Sequence, residues 1–164
     1  MSQKTKKIYS LLSNTHVYSF VQKVMSGTSF REKIVKKFIK KKNVKVLDIG
    51  CGPAEILNCL PQVDYFGYDI SPIYINYAKK KYKNKGKFFC KKFTHREINK
   101  LPKFDHVLLF GILHHLNDLE VKKLMLLLKK ILKRKGSIIT IDNIFINNQN
   151  LIAKLLIQYD RGNN

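Results

Sequence analysis

The chain has 164 residues, 45% of them apolar, which suits one globular domain with a hydrophobic core and argues against a disordered protein. No apolar run reaches the ~20 residues that a membrane-spanning helix needs. The N-terminal stretch also lacks the apolar segment of a secretory signal, so we expect a cytoplasmic protein without a membrane span.

The net charge of +21 raises the question of a nucleic-acid partner. Of the 32 basic residues, however, 28 are lysine and only four are arginine. An A/T-rich genome produces this bias through codon usage, whereas proteins that read nucleic acids favour the planar arginine fork. We therefore expect a solvated lysine coat, and a nucleic-acid interface is the less favoured alternative.

The cysteine set is small and has no paired spacing. It consists of Cys51, Cys59 and Cys90. Such a set argues against a disulfide framework or a zinc site, and no Cys, His and Asp cluster has the spacing of metal ligands. We expect free thiols and no metal.

The first 42 residues read as a helical segment that precedes the main domain. Helical patterns over 6–25 and 29–41 are separated by a turn at 26–28. This segment contains aromatic residues that either belong to the core or cover a site as a lid. We expect residues 43–164 to form the second unit.

From residue 43 onwards, short apolar runs alternate with helical patterns. The runs cover 44–49, 65–70, 87–90, 106–110 and 137–142, and the helical patterns cover 53–60, 72–82 and 118–133. In the last helix we expect Asp118 as the N-cap and Gly136 as the C-terminal stop. Apolar strands alternating with helices predict a doubly wound, parallel α/β sheet.

Three carboxylates end predicted strands, at the sheet edge where ligands bind in such folds. They are Asp48, Asp69 and Asp142. A carboxylate at the end of an apolar strand is not needed for solubility, so a ligand is one explanation. The other is an N-cap or turn role, which we favour for Asp142 and not for Asp48 or Asp69.

The loop after the first strand reads Gly50-Cys51-Gly52-Pro53. Its glycines let a ligand approach the backbone, and Asp69 lies where a carboxylate reaches a ribose diol. The third glycine of the dinucleotide fingerprint is replaced by Glu55, and Pro53 lacks an N–H for a pyrophosphate. Asp48 and Glu55 would repel phosphate and suit a cationic nucleoside such as S-adenosylmethionine.

These segments resemble the class I S-adenosylmethionine-dependent methyltransferases. VLDIGCGPA resembles their first motif, YFGYDIS their acidic second motif, FDHVLLFGILHHL the fourth strand of the quinone-biosynthesis-like, small-molecule branch, and RKGSIITID the fifth strand. The resemblance extends over residues 8–161. It implies a Rossmann-like sheet of order 3-2-1-4-5 and methyl transfer to a small-molecule acceptor. The alternatives are a nucleic-acid methyltransferase and an inactive S-adenosylmethionine-binding module.

The resemblance also implies a set of cofactor-binding residues. Asp48 would orient the methionine end, Asp69 would hold the ribose and Ile70 would lie against adenine. The other residues are Gly50, Cys51, Gly52, Lys92, Phe110 and Gly111. His114 and His115 would lie nearby, as weak candidates for a general base with a capping or backbone role as the alternative.

The sequence departs from the family pattern at two places. After the third strand the family has a carboxylate for adenine, whereas this chain has Lys91 and Lys92. Lysine cannot accept a hydrogen bond, so a backbone carbonyl would have to serve. The family sheet also has two strands after the fifth, which need more residues than follow Asp142. We expect a truncated domain that self-associates through the edge of the fifth strand.

Overall fold

The computed structural model of the chain describes residues 28–142. Within them, five strands form one parallel sheet of order β3-β2-β1-β4-β5, which confirms the predicted order. The strands are β1 (Lys45–Ile49), β2 (Asp64–Asp69), β3 (Gly86–Cys90), β4 (Phe104–Phe110) and β5 (Leu132–Ile141). The helix predicted over 6–25 and everything expected after Asp142 lie outside the described residues.

Helices cover both faces of the sheet. They are α1 (Thr28–Phe38), α2 (Pro72–Tyr82), α3 (His95–Ile98) and α4 (Asp118–Ile131), and three short 3₁₀ turns cover Glu55–Asn58, Lys83–Lys85 and Leu113–His115. Between residues 28 and 142, no helix is both long and apolar enough to cross a bilayer. Helices on both faces confirm the doubly wound arrangement.

Alternating strand residues divide the core into two layers. In β4, Leu108 packs on one face with α1 and α2, whereas Val107 and Leu109 pack on the other face with α4. All three side chains are fully buried. Burial on both faces explains why residues 107–110 of β4 read as a continuous apolar run rather than as an alternating pattern.

The helix predicted over 53–60 is wrong. Only the 3₁₀ turn Glu55–Asn58 forms there, because Ala54 has a left-handed backbone with φ of 58° and Pro53 precedes it. The short helix α3 was not predicted. By contrast, α2 has the predicted bounds, with Ser71 as its N-cap.

The bounds of α4 also correct the sequence prediction. Its N-cap is Asn117, not Asp118, since Asn117 and Glu120 form a reciprocal capping box. The helix ends at Ile131, five residues before Gly136, because β5 begins at once and Leu132 pairs with Phe104. Gly136 lies within β5, at an irregularity where a β-carbon would be 3.0 Å from the carbonyl oxygen of Phe104.

The strand β5 is the outermost on its side of the sheet that residues 28–142 form. It pairs with β4 along one edge. The two further family strands would follow Asp142, outside the described residues, and self-association through β5 stays a prediction.

Candidate functional site

A cleft of about 850 Å³ opens at the carboxyl edge of the sheet. The strand order reverses between β1 and β4, which is the place where ligands bind in open α/β sheets. The nine residues that the resemblance implies for cofactor binding all line this cleft: Asp48, Gly50, Cys51, Gly52, Asp69, Ile70, Lys92, Phe110 and Gly111. The fold thus brings the predicted residues together.

The loop after β1 uses its own N–H groups internally. The N–H groups of Gly50 and Cys51 both donate to the carbonyl of Tyr68, over 2.8 and 3.0 Å. Gly52 N–H donates to Oδ2 of Asp69 over 2.8 Å, and Pro53 has no N–H. The loop therefore presents glycine surface to a ligand, but no spare cluster of donors for a phosphate.

Glycine serves a different purpose at each of the two glycine positions of the loop, Gly50 and Gly52. Gly50 has φ of +73°, and a β-carbon there would lie 3.0 Å from Cδ1 of Ile112 in the loop after β4. Gly52 has φ of +52°, and no described atom lies within 4 Å of its β-carbon position. Gly50 thus lets two loops of the fold approach each other, whereas Gly52 leaves open space beside the cleft.

Asp48 lies under this loop and is 2% exposed. Its Oδ2 accepts a hydrogen bond of 2.6 Å from the hydroxyl of Tyr65. Burial raises the pKa of Asp48 to about 7, although the Tyr65 hydrogen bond and the charge of Arg31 both act to lower it. Asp48 is thus a buried acid that still lines the cleft, where a cationic ligand would stabilise its charged form.

Asp69 ends β2 with both carboxylate oxygens held in place. Oδ2 accepts from Gly52 N–H and Oδ1 accepts from Ser71 N–H, each over 2.8 Å. Each oxygen can accept a second hydrogen bond, so a diol can still bind the carboxylate. Next to it, Ile70 is 74% exposed and gives the cleft an apolar surface.

The Cys51 thiol is packed against the sheet and is poorly suited to act as a nucleophile. A β-carbon built at Gly67 would lie 2.9 Å from its sulfur, so the thiol packs tightly against β2. Burial and the nearby carboxylates raise the pKa of Cys51 well above its usual range. A thiol that resists ionisation is a poor nucleophile, so Cys51 contributes shape.

Glu55 has a different role from the one that its position suggested. Lys81 Nζ lies 2.8 Å from both of its carboxylate oxygens, and the Tyr77 hydroxyl donates to it over 3.2 Å. The negative charge of Glu55 is therefore already matched, and the residue ties the 3₁₀ turn to α2.

The segment after β3 carries cations that are paired. Lys91 Nζ lies 2.8 Å from Glu97, and Lys92 Nζ lies 3.1 Å from Glu120 on α4. The hydrogen bond from Lys91 is the main reason why the pKa of Glu97 lies below its usual value. Phe93, which follows the two lysines, is buried and lines the cleft, so this end offers an aromatic surface instead of the family carboxylate.

The two histidines after β4 occupy different places. The His114 side chain is 2% exposed, and its Nδ1 lies 2.9 Å from Oδ1 of Asp142. The same oxygen accepts the N–H groups of Leu113 and His114, over 2.9 and 3.2 Å. Asp142 thus has the turn role that the sequence favoured, and His115 is the histidine that lines the cleft.

Arg31 is a cleft residue that the sequence analysis missed. It extends from α1 towards the loop after β4, where its Nη2 lies 3.3 Å from a β-carbon built at Gly111, and its guanidinium stands 5.8 Å from the centre of the Phe110 ring. The one available indication was that it is a rare arginine among many lysines.

Among residues 28–142, no group of three His, Cys, Asp or Glu side chains is placed to hold a metal ion. The chemistry of the cleft therefore rests, in this part of the chain, on carboxylates, glycine backbone, one arginine, three lysines and two histidines, His95 and His115.

The parallel sheet and the cleft at its carboxyl edge are typical of ligand-binding α/β proteins. Comparison with known proteins gives the family. The family model described as "Methyltransferase domain" matches residues 40–158. The chain belongs to this family.

Three known proteins illustrate the similarity. The uncharacterized protein MJ0638 of Methanocaldococcus jannaschii is 34% identical over 121 residues, which are 74% of this chain and 49% of that protein. The structure of PKMT2 from Rickettsia typhi in complex with AdoHcy is 26% identical, with a TM-score of 0.51 over 60% of this chain and 20% of that one. A TehB-like SAM-dependent methyltransferase from Corynebacterium glutamicum is 18% identical, with a TM-score of 0.60 over 78% and 71%. The last likeness shows the fold alone, and the chain spans about half the length of the curated relative it matches.

Proposed function

We propose that this chain binds S-adenosylmethionine in the cleft and transfers its methyl group to a small-molecule acceptor. The observation that carries the proposal is the pair Asp48 and Asp69, which flank a glycine loop whose own N–H groups are already bonded. Such a site suits a ligand with a cation and a ribose but no phosphate. The AdoHcy complex of the Rickettsia typhi relative supports this choice.

The residues present fit the cofactor from end to end. Asp69, fixed by two backbone N–H groups, would accept the ribose hydroxyls. Ile70 and Phe93 offer apolar surfaces for adenine. The open space at Gly52 would admit the ligand next to the backbone, and Asp48 would meet the ammonium of the amino-acid end.

When bound, S-adenosylmethionine supplies a methyl carbon that is already activated by its sulfonium. What remains for the protein is to align the acceptor and exclude water. Leu116, Leu124 and Leu127 give the cleft an apolar wall that can do both. His115 is the candidate to accept a proton from the acceptor, because it lines the cleft while His114 is held by Asp142.

A small acceptor is favoured by the shape of the site and by the lysine distribution. The cleft volume of about 850 Å³ lies within the range of ~300–1,000 Å³ that small-molecule sites have. Lys91 and Lys92 at its margin are engaged by Glu97 and Glu120 rather than grouped for phosphates. A nucleic-acid acceptor remains the second candidate because of the net charge of +21.

Isothermal titration calorimetry tests the cofactor. We expect one molecule of S-adenosylhomocysteine per chain, displaced by S-adenosylmethionine, and no binding of NAD at the same concentration. Equal affinity for NAD would overturn the proposal. To test the acceptor, methyl-labelled S-adenosylmethionine is incubated with a small-molecule extract and with total RNA, and label in the RNA alone would favour the second candidate.

A further inference from the structure

The outer face of α4 gathers six exposed residues on one side of the helix. They are Leu119, Lys122, Lys123, Leu126, Lys129 and Lys130. At about 3.6 residues per turn, these positions fall within about a third of the helix circumference. The opposite side packs into the core through Leu124, Leu128 and Ile131, so the residues of the outer face take no part in that packing.

Both leucines of the outer face lie in solvent among the lysines. Leu119 is 59% exposed and Leu126 is 53% exposed, and they stand about two helical turns apart on the same side. Within residues 28–142, the four lysines form no ion pair. Of the carboxylates at the start of the helix, Glu120 is engaged by Lys92 and Asp118 forms no ion pair with this face. The face therefore combines uncompensated positive charge with exposed apolar surface.

We propose that the outer face of α4 docks on the surface of an anionic lipid bilayer, as a peripheral contact that does not span the membrane. The leucines enter the headgroup boundary, and the lysines lie at the lipid phosphates with their stems along the apolar boundary. Each lysine held near such a surface strengthens binding about fivefold. This inference goes beyond methyl transfer and does not depend on the cofactor.

Other partners fit the outer face less well. The cores of protein–protein interfaces are depleted in lysine, because holding several long charged side chains in one geometry is costly. A nucleic acid would attract the lysines but would leave the two leucines without a role, since RNA-binding surfaces place aromatic side chains and arginine against the bases. A fluid bilayer accepts both residue types, and the lysines keep water around their charged ends there as they do in solution.

The outer face borders the cleft. Lys123 belongs to both, and Glu120, Leu124 and Leu127 of the same helix also line the cleft. Docking through α4 thus places the side of the cleft that this helix forms next to the lipid surface.

Vesicle cosedimentation of the full chain tests the inference, with phosphatidylcholine alone and with phosphatidylcholine containing phosphatidylglycerol, at near-physiological salt. A net charge of +21 attracts the protein to any anionic surface, so the control must carry the same charge. Lys122→Glu with Lys129→Glu on α4 is expected to weaken binding to the anionic vesicles about 10- to 100-fold. Lys79→Glu with Lys80→Glu, at exposed positions of α2, should weaken it by no more than about threefold.

A second pair of variants leaves the charge unchanged. Leu119→Ser with Leu126→Ser should weaken binding to the anionic vesicles about 3- to 10-fold, because less apolar surface enters the boundary. Ile73→Ser is the matched control, since Ile73 is 54% exposed on α2 and lies outside the cleft. It should bind as the unaltered protein does.

Equal losses for the two charge variants would show that net charge alone drives association, and would overturn the inference. So would unaltered binding of the leucine variant, binding to phosphatidylcholine alone that is as strong, or no vesicle binding at all. If the charge variants bind vesicles normally but lose binding to total RNA, the face belongs to a nucleic acid instead. Urea unfolding verifies that each variant folds, and Lys122→Gln with Lys129→Gln replaces the charge reversal if that variant does not.

Discussion

The hydroxyl of Tyr65 donates a 2.6 Å hydrogen bond to Oδ2 of Asp48, and both side chains are almost fully buried. The two residues lie on neighbouring strands, β1 and β2. Because a neutral donor compensates burial only in part, the pKa of Asp48 rises to about 7. The charge state of Asp48, which lines the cleft, therefore changes within the range of ordinary buffers.

The first prediction is that cofactor affinity falls on acidification. Below pH 7 Asp48 of the free protein takes up a proton, and the ligand ammonium loses its partner. The dissociation constant of S-adenosylhomocysteine should rise by up to about tenfold per pH unit from pH 7 towards pH 6. Asp48→Asn should bind weakly with little pH dependence, and calorimetry that shows parallel pH profiles for both proteins would contradict the assignment.

The raised pKa of Asp48 affects stability in the opposite direction, because acidification weakens ligand binding but stabilises the folded protein without ligand. The folded state holds the Asp48 proton more tightly than the unfolded chain does, so this group favours folding below about pH 4 and the contribution is lost between about pH 4 and 7. Without ligand, Asp48→Asn should therefore unfold at higher urea concentration than the parent protein at pH 8. A lower midpoint at pH 8 would show that the charged form is not disfavoured.

The second prediction concerns Asp69. Asp69→Ala removes the proposed ribose acceptor and should weaken S-adenosylhomocysteine binding by about 1.5–3 kcal/mol, which is roughly 10- to 150-fold. Asp118→Ala, at an exposed position outside the cleft, is the matched control and should bind normally. If calorimetry shows that Asp69→Ala binds S-adenosylhomocysteine with unchanged affinity, the Asp69 carboxylate does not contact the ligand.

The third prediction separates the two histidines. Asp142→Ala leaves two backbone N–H groups and the His114 ring without this acceptor, so the free energy of unfolding should fall by about 1–3 kcal/mol. His115→Ala, at an exposed residue outside these Asp142 hydrogen bonds, should lower it by less than Asp142→Ala does. Urea unfolding measures both, and an equal cost at His115 would contradict the division of roles.

The fourth prediction is that the lysines form a solvated surface. Lysines are exposed on α1 and α2, which cover one face of the sheet, and on α4, which covers the other. Filter binding at near-physiological salt should therefore show only weak RNA association without sequence preference. Submicromolar affinity for one defined RNA under these conditions would reverse the order of the two acceptor classes.

The fifth prediction concerns the edge of β5. If this strand pairs with a second copy of the chain, a charge at its exposed Thr140 should oppose the pairing. Thr140→Lys is expected to shift the protein towards monomer in size-exclusion chromatography with light scattering. Asn76→Lys on α2 adds the same charge elsewhere and should not. A parent protein that is monomeric at all concentrations would disprove self-association.

The sheet could be predicted from the sequence because the apolar runs that form its strands are local features of the sequence. Strands that are buried on both faces need continuous apolar runs, and a run was recognisable in each of the five strands, although β5 begins at Leu132, five residues before its predicted run. The carboxylates Asp48 and Asp69 were also readable, since parallel strands put their carboxyl ends at one edge. The helix α2 had the predicted bounds because Ser71 and Pro72 mark its start within the sequence itself.

The tertiary structure decided what depends on partners distant in the chain. Arg31 reaches Gly111 across 80 positions of sequence, and the pairing of Glu55 with Lys81 reverses the role that its position in the loop suggested. The sequence offered His114 and His115 as equals, and only the contact with Asp142 distinguishes them. Charges and hydrogen bonds act over a few ångströms in space, so residues that compete for the same partner cannot be ranked until the chain has folded.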